Sequence, residues 1–474
     1  KAALSWRGTG FESSTDFRTL YDFIRMTSPD DFLAALEHFG VGAQNWVYGD
    51  VNGHLAYGTF ARLPIRQHLE NEGPVEFPVF LPMPGDGCCE WVGDVPLEQM
   101  PHAVDPEKGY LFACNGDAFG YTLDGDPFNA PTSQGSPFDL GYRAARAEEL
   151  LQAGVEEGGQ MTVADMQKFQ ADHRSPLGAA LTPHILDAVT AAEAAMQGEP
   201  GSDAALAGFA DDQRVLDARD RLLGWSFQAA SGALPDATDE EKADAVATSI
   251  FNVWVVYVTQ RIVGPRMEAD YALQFAGRFR VNLFGQPSGL ATYDEQMGDS
   301  LLWDNPDTLE IESRNFTILA ALVDALDFLE NPDQAGVEAE GGFGTSNMDE
   351  WLWGKLHTLT LKSVVDATFN IPSPADFPDG YPRWGDNFNL DASNVGFDDT
   401  KFTFKDGPAI RNVYTLDPAG QLAETVIPGG QDGSFLGDHY SDQFDLWSVN
   451  ETHPLVGDVE TLVPVAESCY RLEP

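Results

Sequence analysis

Apolar and polar positions change their period twice along the chain. Up to about residue 145, short runs of alternating apolar and polar residues are cut by turn residues, as in QNWVYGDVNGHLAYGTFARLPIR at 44–66. Period-two alternation predicts strands with one buried face. Asn52-Gly53 lies between two such runs and both residues tolerate the left-handed backbone, so Trp46-Val47-Tyr48 and Leu55-Ala56-Tyr57 are expected to pair antiparallel across a hairpin turn. From Tyr142 to about Leu329 the apolar spacing becomes three and four, in YRAARAEELLQAG, TVADMQKFQADH, DDQRVLDARDRLLGW and NFTILAALVDALDFLE, which predicts helices. A further helix is expected in MDEWLWGKLHTLTLKSV, after the Gly-rich link at 341–344. Past about 384 the pattern is strand-like again in KFTFKDGPAIRNVYTLDPAGQLAETVIPGG.

Strands, then helices, then strands predict an α+β chain with a large helical insertion between two parts of one sheet system. The pattern divides it into a β-rich part over 1–145, a mainly helical insertion over 146–383 and a β-rich return to the core over 384–474. The longest apolar run, AVATSIFNVWVVYVTQRIV, carries Asn252 and reaches Arg261, so it reads as a buried helix rather than a membrane span.

Charge alters this picture of an ordinary globular chain. There are 75 acidic residues against 27 basic ones, of which 8 are Lys and 19 Arg, giving a formal net charge of −48. A surface of that sign repels phosphate, so nucleic acid is excluded as a partner class. The acidic residues are dispersed, as in DATDEEKADA, FDDTKFTFKDG and NPDQAGVEAEGG, and describe a solvated surface rather than a tail. Two readings fit: a protein adapted to high salt, which the scarcity of Lys favours, or an ordinary acidic secreted protein. The first implies a melting temperature that keeps rising with added KCl. Cys88, Cys89, Cys114 and Cys469 show no CxxC pair and no zinc spacing, and any disulfide among them is unreadable from spacing. The opening KAALSWRGTGF shows no signal peptide and reads as a piece of something longer.

One short stretch, GYLFACNGDAFG at 109–120, sets Asn115 between the apolar run Tyr110–Cys114 and Gly116. On its own this is a strand ending in an Asn-Gly turn. Most of it belongs to one of eight stretches that say more together: ALSWRG at 3–8, QNWVYGDVNGHLAYGTFARLPIR at 44–66, CEWVGDVPLEQMP at 89–101, DPEKGYLFACN at 105–115, GYRAARAEELL at 141–151, WLWGKLH at 351–357, GPAIRNVYTLD at 407–417 and PGGQDGSFLGDHYSDQFDLW at 428–447. Together, in order, these resemble the β subunit of the penicillin acylase family, N-terminal-nucleophile amidohydrolases that cut amide bonds with an N-terminal Ser. Each stretch alone is weak, and the order across almost the whole chain carries the resemblance.

The resemblance implies an incomplete αββα sandwich of the N-terminal-nucleophile hydrolase type and hydrolysis of a small-molecule N-acyl amide through an acyl-enzyme. It matches Asn115 to the family's oxyanion-hole asparagine, a neutral donor to the oxygen that becomes negative when a hydroxyl attacks an amide carbonyl. It matches Arg143 to an arginine near the same pocket, able to orient the asparagine. It places the nucleophilic Ser upstream of Lys1, together with an α chain of the same precursor, so residues 1–474 alone are expected to be inactive. Ser346-Asn347-Met348 imitates the start of some family β chains but precedes the Trp353-Gly354-His357 pattern and would leave Asn115 on the wrong side of a cut. Asp126, in the DGD at 124–126, lies where the family often supplies a calcium carboxylate, although solvated loop charge explains it better in so acidic a chain. His357 reads as a packing histidine and Arg146 as structural, and Asp432 departs from the serine often found there. No organic cofactor is implied, and the location implied is extracytoplasmic, periplasmic or secreted. The rival reading is a non-catalytic acidic surface or binding protein that keeps the fold.

Overall fold

The hairpin expected around Asn52-Gly53 forms. Strands β1 (Gln44–Gly49) and β2 (Leu55–Phe60) pair antiparallel, with Trp46 opposite Gly58, Val47 opposite Tyr57 and Tyr48 opposite Ala56. The connection runs from Asp50 to His54. Asp50 Oδ1 accepts from the backbone N–H groups of Asn52 and His54 at 2.8 and 3.1 Å, and Gly53 sits at φ 90°, a region closed to most side chains. The computed structural model to which these strands belong describes residues 3–69, 82–120, 138–156, 158, 161–266, 293–295, 297–331, 342–395, 402–418 and 422–466. The chain folds as two compact units, one of residues 1–162, 414–423 and 456–474, the other of 163–413 and 424–455.

In the first unit β3 (Pro64–Arg66) pairs with β4 (Trp91–Asp94), and β5 (His102–Val104) lies on the other side of β2 from β1. Two helices here correct the reading of 1–145 as strands and turns alone: α1 (Asp16–Phe23) and α2 (Pro29–Leu36). The start of α2 is specified locally. Ser28 Oγ accepts from the Asp31 N–H at 3.2 Å, Pro29 occupies the first turn, and Asp30 and Asp31 place negative charge at the helix N-terminus. It buries Phe32, Ala35 and Leu36, of which Phe32 and Leu36 pack with Tyr48, Ala56, Phe60 and Met100 into one core. The approach is close enough that a Cβ on Gly58 would meet Leu36 Cδ1 at 2.7 Å, so any side chain there would displace Leu36. Helix α3 (Tyr142–Glu156) also belongs to this unit.

The second unit is built on α4 (Val163–Gln170), α5 (Pro176–Met196), the short α6 (Ala207–Ala210), α7 (Gln213–Leu223), α8 (Asp239–Val263) and α9 (Arg314–Glu330); the three-four spacing predicts α4, α7 and α9, and the longest apolar run predicts α8. Helix α8 opens with a capping box, in which Thr238 Oγ1 accepts from the Glu241 N–H at 3.2 Å and Glu241 Oε2 from the Thr238 N–H at 2.7 Å. It is long and apolar enough to cross a membrane, yet most of it is buried inside the unit. It packs on α9, and Trp254 Nε1 donates to the Ile318 carbonyl at 3.1 Å, so the buried-helix reading holds.

The helix expected in MDEWLWGKLHTLTLKSV is overturned. The segment forms two single 3-10 turns, Met348–Glu350 and Trp353–Lys355, followed by strand β8 (Thr358–Leu359) paired with β9 (Tyr381–Pro382). Its indoles are satisfied elsewhere, Trp351 Nε1 by the Thr345 carbonyl and Trp353 Nε1 by the Gly385 carbonyl, both at 2.8 Å. These tertiary bonds override the helical spacing. The strand-like reading past 384 is met by β10 (Arg411–Thr415) and β11 (Leu422–Val426), in a sheet completed by β12 (His453–Pro454). The 384–474 stretch contributes to both units. With helices and small sheets throughout, the architecture is α+β.

Candidate active site

Asn115 and Arg143, 28 positions apart, meet in the first unit: Arg143 Nη2 donates to Asn115 Oδ1 at 3.0 Å. Asn115 has a left-handed backbone, φ 59°, a conformation its short polar side chain tolerates better than most. Its own carbonyl accepts from the Asp139 N–H at 2.9 Å. The run Tyr110–Cys114 before it is not a strand, and among the described residues no ladder pairs it. The Cys114 carbonyl is taken instead by Arg143 Nη2 at 3.1 Å. At Gly116 a Cβ would meet nothing within 4 Å among the described residues.

Arg143 is the second residue of α3, and Asp139 fixes it there. Asp139 Oδ2 accepts from Arg143 Nε at 3.1 Å and from Nη2 at 2.9 Å, while Oδ1 accepts from the Gly141 N–H at 3.0 Å. The Asp139 side chain is 9% exposed and that of Arg143 23%, whereas Asn115 is exposed. Because a guanidinium only donates, the Asn115 group facing it must be the carbonyl oxygen. The NH2 then points away from the cation. The arrangement offers an accessible neutral donor, held by an ion pair behind it, and suits the binding of an anionic oxygen. Asp139 was not singled out in the sequence. The available signal is an Asp four residues before an Arg at a helix start, with Gly two residues on.

The remaining sequence candidates fall elsewhere. Asp126 and its DGD lie outside the described residues, as does Cys469. Among the described residues no three His, Cys, Asp or Glu side chains are grouped to hold a metal. Cys88, Cys89 and Cys114 are free thiols, and burial raises the Cys114 pKa. His357 is fully buried: its ring stacks on Trp353 at 5.0 Å between centroids and its Nδ1 lies 2.7 Å from the Phe402 carbonyl. Burial lowers its pKa to about 3 against the opposing pull of that carbonyl, so it stays neutral. Arg146 pairs with Glu149 at 2.9 Å. Asn347 caps a 3-10 turn through its Oδ1, and Met348 beside it is buried.

A second, denser group of charges lies within the second unit. Asp391 Oδ2 accepts from Arg383 Nη2 at 2.7 Å and from His173 Nε2 at 2.8 Å, and Oδ1 from Arg411 Nη2 at 2.6 Å. Both guanidinium carbons lie against the Trp447 ring, 4.8 and 4.9 Å from its centroid. Burial pushes the Asp391 pKa up, but Arg383, His173 and Arg411 outweigh it and hold the carboxyl well below the usual range. Asp386 is buried, and among the described residues no cation pairs with it. Its Oδ2 accepts from Ser175 Oγ at 2.6 Å and Asn252 Nδ2 at 3.3 Å, and Oδ1 has no partner among the described residues. Burial raises its pKa to about 7, against those two hydrogen bonds.

The fold is that of the N-terminal-nucleophile hydrolases. A solved structure of thermostable penicillin G acylase from Alcaligenes faecalis superposes with a TM-score of 0.53 and 18% identity, over 99% of this chain and 74% of that one. The family model described as penicillin amidase matches residues 1–462, and the chain belongs to the penicillin amidase family. It is 31% identical over 177 residues to the penicillin acylase 2 proenzyme of Pseudomonas sp. (strain SE83), which is 37% of this chain and 20% of that protein. It is 36% identical over 67 residues to penicillin G acylase of Escherichia coli, 14% of this chain and 7% of that protein.

Proposed function

We propose that the protein hydrolyses a linear N-acyl amide through an acyl-enzyme, with the Asn115 side chain as a donor of the oxyanion hole. The nucleophile in this reading is an N-terminal Ser in the part of the protein that precedes Lys1. Its hydroxyl oxygen bonds to the amide carbonyl carbon, its proton passes to a base, and the carbonyl oxygen becomes negative. Asn115 Nδ2–H donates to that oxygen. Collapse breaks the C–N bond, with a proton going to the departing amine, and water then releases the acid.

The observation that carries the proposal is the Arg143 Nη2–Asn115 Oδ1 bond of 3.0 Å. It fixes the amide with its donor side outward before any substrate arrives, so no reorganisation is needed when charge develops. Arg143 also polarises the amide, strengthening Nδ2–H as a donor. Family membership supports an acyl amide as the substrate class. β-Lactam side-chain amides, acyl-homoserine lactones and acyl lipopeptides all fit it. Leu4, Trp6, Phe17 and Ile24 are highly exposed apolar residues of the first unit, and support an α chain of the same precursor as the partner that covers them. An extracytoplasmic location completes the reading.

The test is Asn115→Ala in the full-length, processed protein. It is expected to fold normally and to lose roughly a hundredfold or more in kcat, the usual cost of one missing oxyanion donor. Near-normal turnover would remove the assignment of Asn115, whereas a parent protein with no amidase turnover at all would favour the non-catalytic binding protein.

A further inference from the structure

We infer that Asp139 is the positioning residue of this site, the group that decides which face of the Asn115 amide meets the substrate. The inference rests on the reading of Asn115 as oxyanion donor and names a residue on which that donor depends.

Asp139 reaches Asn115 by two separate routes. Along the backbone, its N–H donates to the Asn115 carbonyl at 2.9 Å, which helps to hold the left-handed conformation at φ 59°. Through its side chain it chelates Arg143 with one oxygen, at 3.1 Å to Nε and 2.9 Å to Nη2. Its other oxygen is anchored by the Gly141 N–H at 3.0 Å, just before α3 begins. Both carboxylate oxygens are therefore committed, and the side chain is 9% exposed.

Arg143 Nη2 contacts three oxygens: the Cys114 carbonyl at 3.1 Å, Asn115 Oδ1 at 3.0 Å and Asp139 Oδ2 at 2.9 Å. Of these only Asp139 is charged, and charge-assisted bonds are the stronger ones. Without it, a guanidinium on a flexible stem is held by two neutral oxygens and is free to turn towards solvent or another carboxylate. The Asn115 amide then loses the feature that distinguishes its two ends. Its oxygen and nitrogen become nearly equivalent in space, and the fraction of molecules with the donor outward falls. Asp139 touches no substrate in this scheme and acts only through Arg143 and Asn115.

The variant that isolates the charge is Asp139→Asn, which keeps the backbone N–H and an oxygen for Gly141 but cannot chelate the guanidinium as an anion. In the full-length, processed enzyme it should lower kcat roughly tenfold or more while leaving KM for a chromogenic acyl anilide nearly unchanged, because misplacement of a reacting group is felt in the transition state. Asp139→Glu, which retains the charge, should recover part of the loss. In an Asn115→Ala background Asp139→Asn should cost nothing further, since there is no amide left to orient. Multiplying effects in the double variant, or full kcat in Asp139→Asn, would overturn the inference. If Asn115→Ala itself is fully active, the oxyanion reading fails first. If Asn115→Ala is impaired and Asp139→Asn is not, only the role of Asp139 fails.

Discussion

Two Asp–Arg clusters in this molecule use the same chemistry to opposite ends. In the second unit Asp391 is 0% exposed and its partners Arg383 and Arg411 are 1% and 3% exposed in their side chains. Arg383 Nη1 continues to the Ser448 carbonyl and Arg411 Nη1 to the Trp447 carbonyl, each at 3.0 Å. The cluster closes on the protein and ties together segments far apart in the chain. In the first unit the Asp139–Arg143 pair is partly exposed, and its last bond ends on an exposed amide. A buried ion pair costs desolvation and gives back fixed geometry. The Asp139–Arg143 pair, with side chains 9% and 23% exposed, is less deeply buried, and it holds one neighbour in one orientation. The first arrangement is suited to structure, the second to a site.

The comparison predicts unequal costs. The largest falls on Asp391→Asn, which strands two buried guanidinium groups without a counter-ion. It should destabilise the folded protein by about 3–5 kcal/mol, read as a lower urea midpoint, with kcat per folded molecule unaltered. A loss below about 1 kcal/mol, the range of a surface pair, would erase the distinction drawn between the clusters.

A smaller, pH-dependent effect belongs to Asp386, the buried carboxyl with which no cation among the described residues pairs. Burial raises its pKa to about 7 in the fold, above the unfolded value of about 3.9. The folded state therefore favours the proton. This contribution is complete below about pH 4 and is lost progressively as pH rises through about 7. Asp386→Asn, neutral at every pH, should flatten the decline in urea midpoint between pH 5 and pH 8. An identical decline in variant and parent would show that this carboxyl is not the group titrating.

The legibility of these features followed the range of the forces behind them. Helix α7 was readable because it keeps an apolar stripe through Val215, Ala218 and Leu222, and α9 because its apolar residues persist for several turns. Strands β1 and β2 were readable because Asn52-Gly53 separates them. Helix α2 has equally local signals, Ser28 as cap and Pro29 in the first turn, but at 8 residues it is short enough to be mistaken for a turn between strands. The Trp-rich segment misled in the opposite direction: its spacing imitates a helix, while its indoles bond to carbonyls up to 32 positions away. Asn115 and Arg143 were visible through family resemblance. Asp139 was hidden among 75 acidic residues, where one more Asp carries no signal until the fold places it on a guanidinium. The Asp391 cluster could not be read at all, since His173 and Asp391 lie 218 positions apart.

The central claim is that Asn115 binds the negative oxygen of the tetrahedral state and not the substrate amide. The most direct measurement compares the parent enzyme and Asn115→Ala, both full-length and processed, for inhibition by an alkylboronic acid, which forms a tetrahedral anionic adduct with a serine hydroxyl. The account predicts that boronate affinity falls by roughly a hundredfold while KM for the neutral amide substrate barely moves, because the donor acts only where charge develops. Equal weakening of both, or of neither, would contradict it.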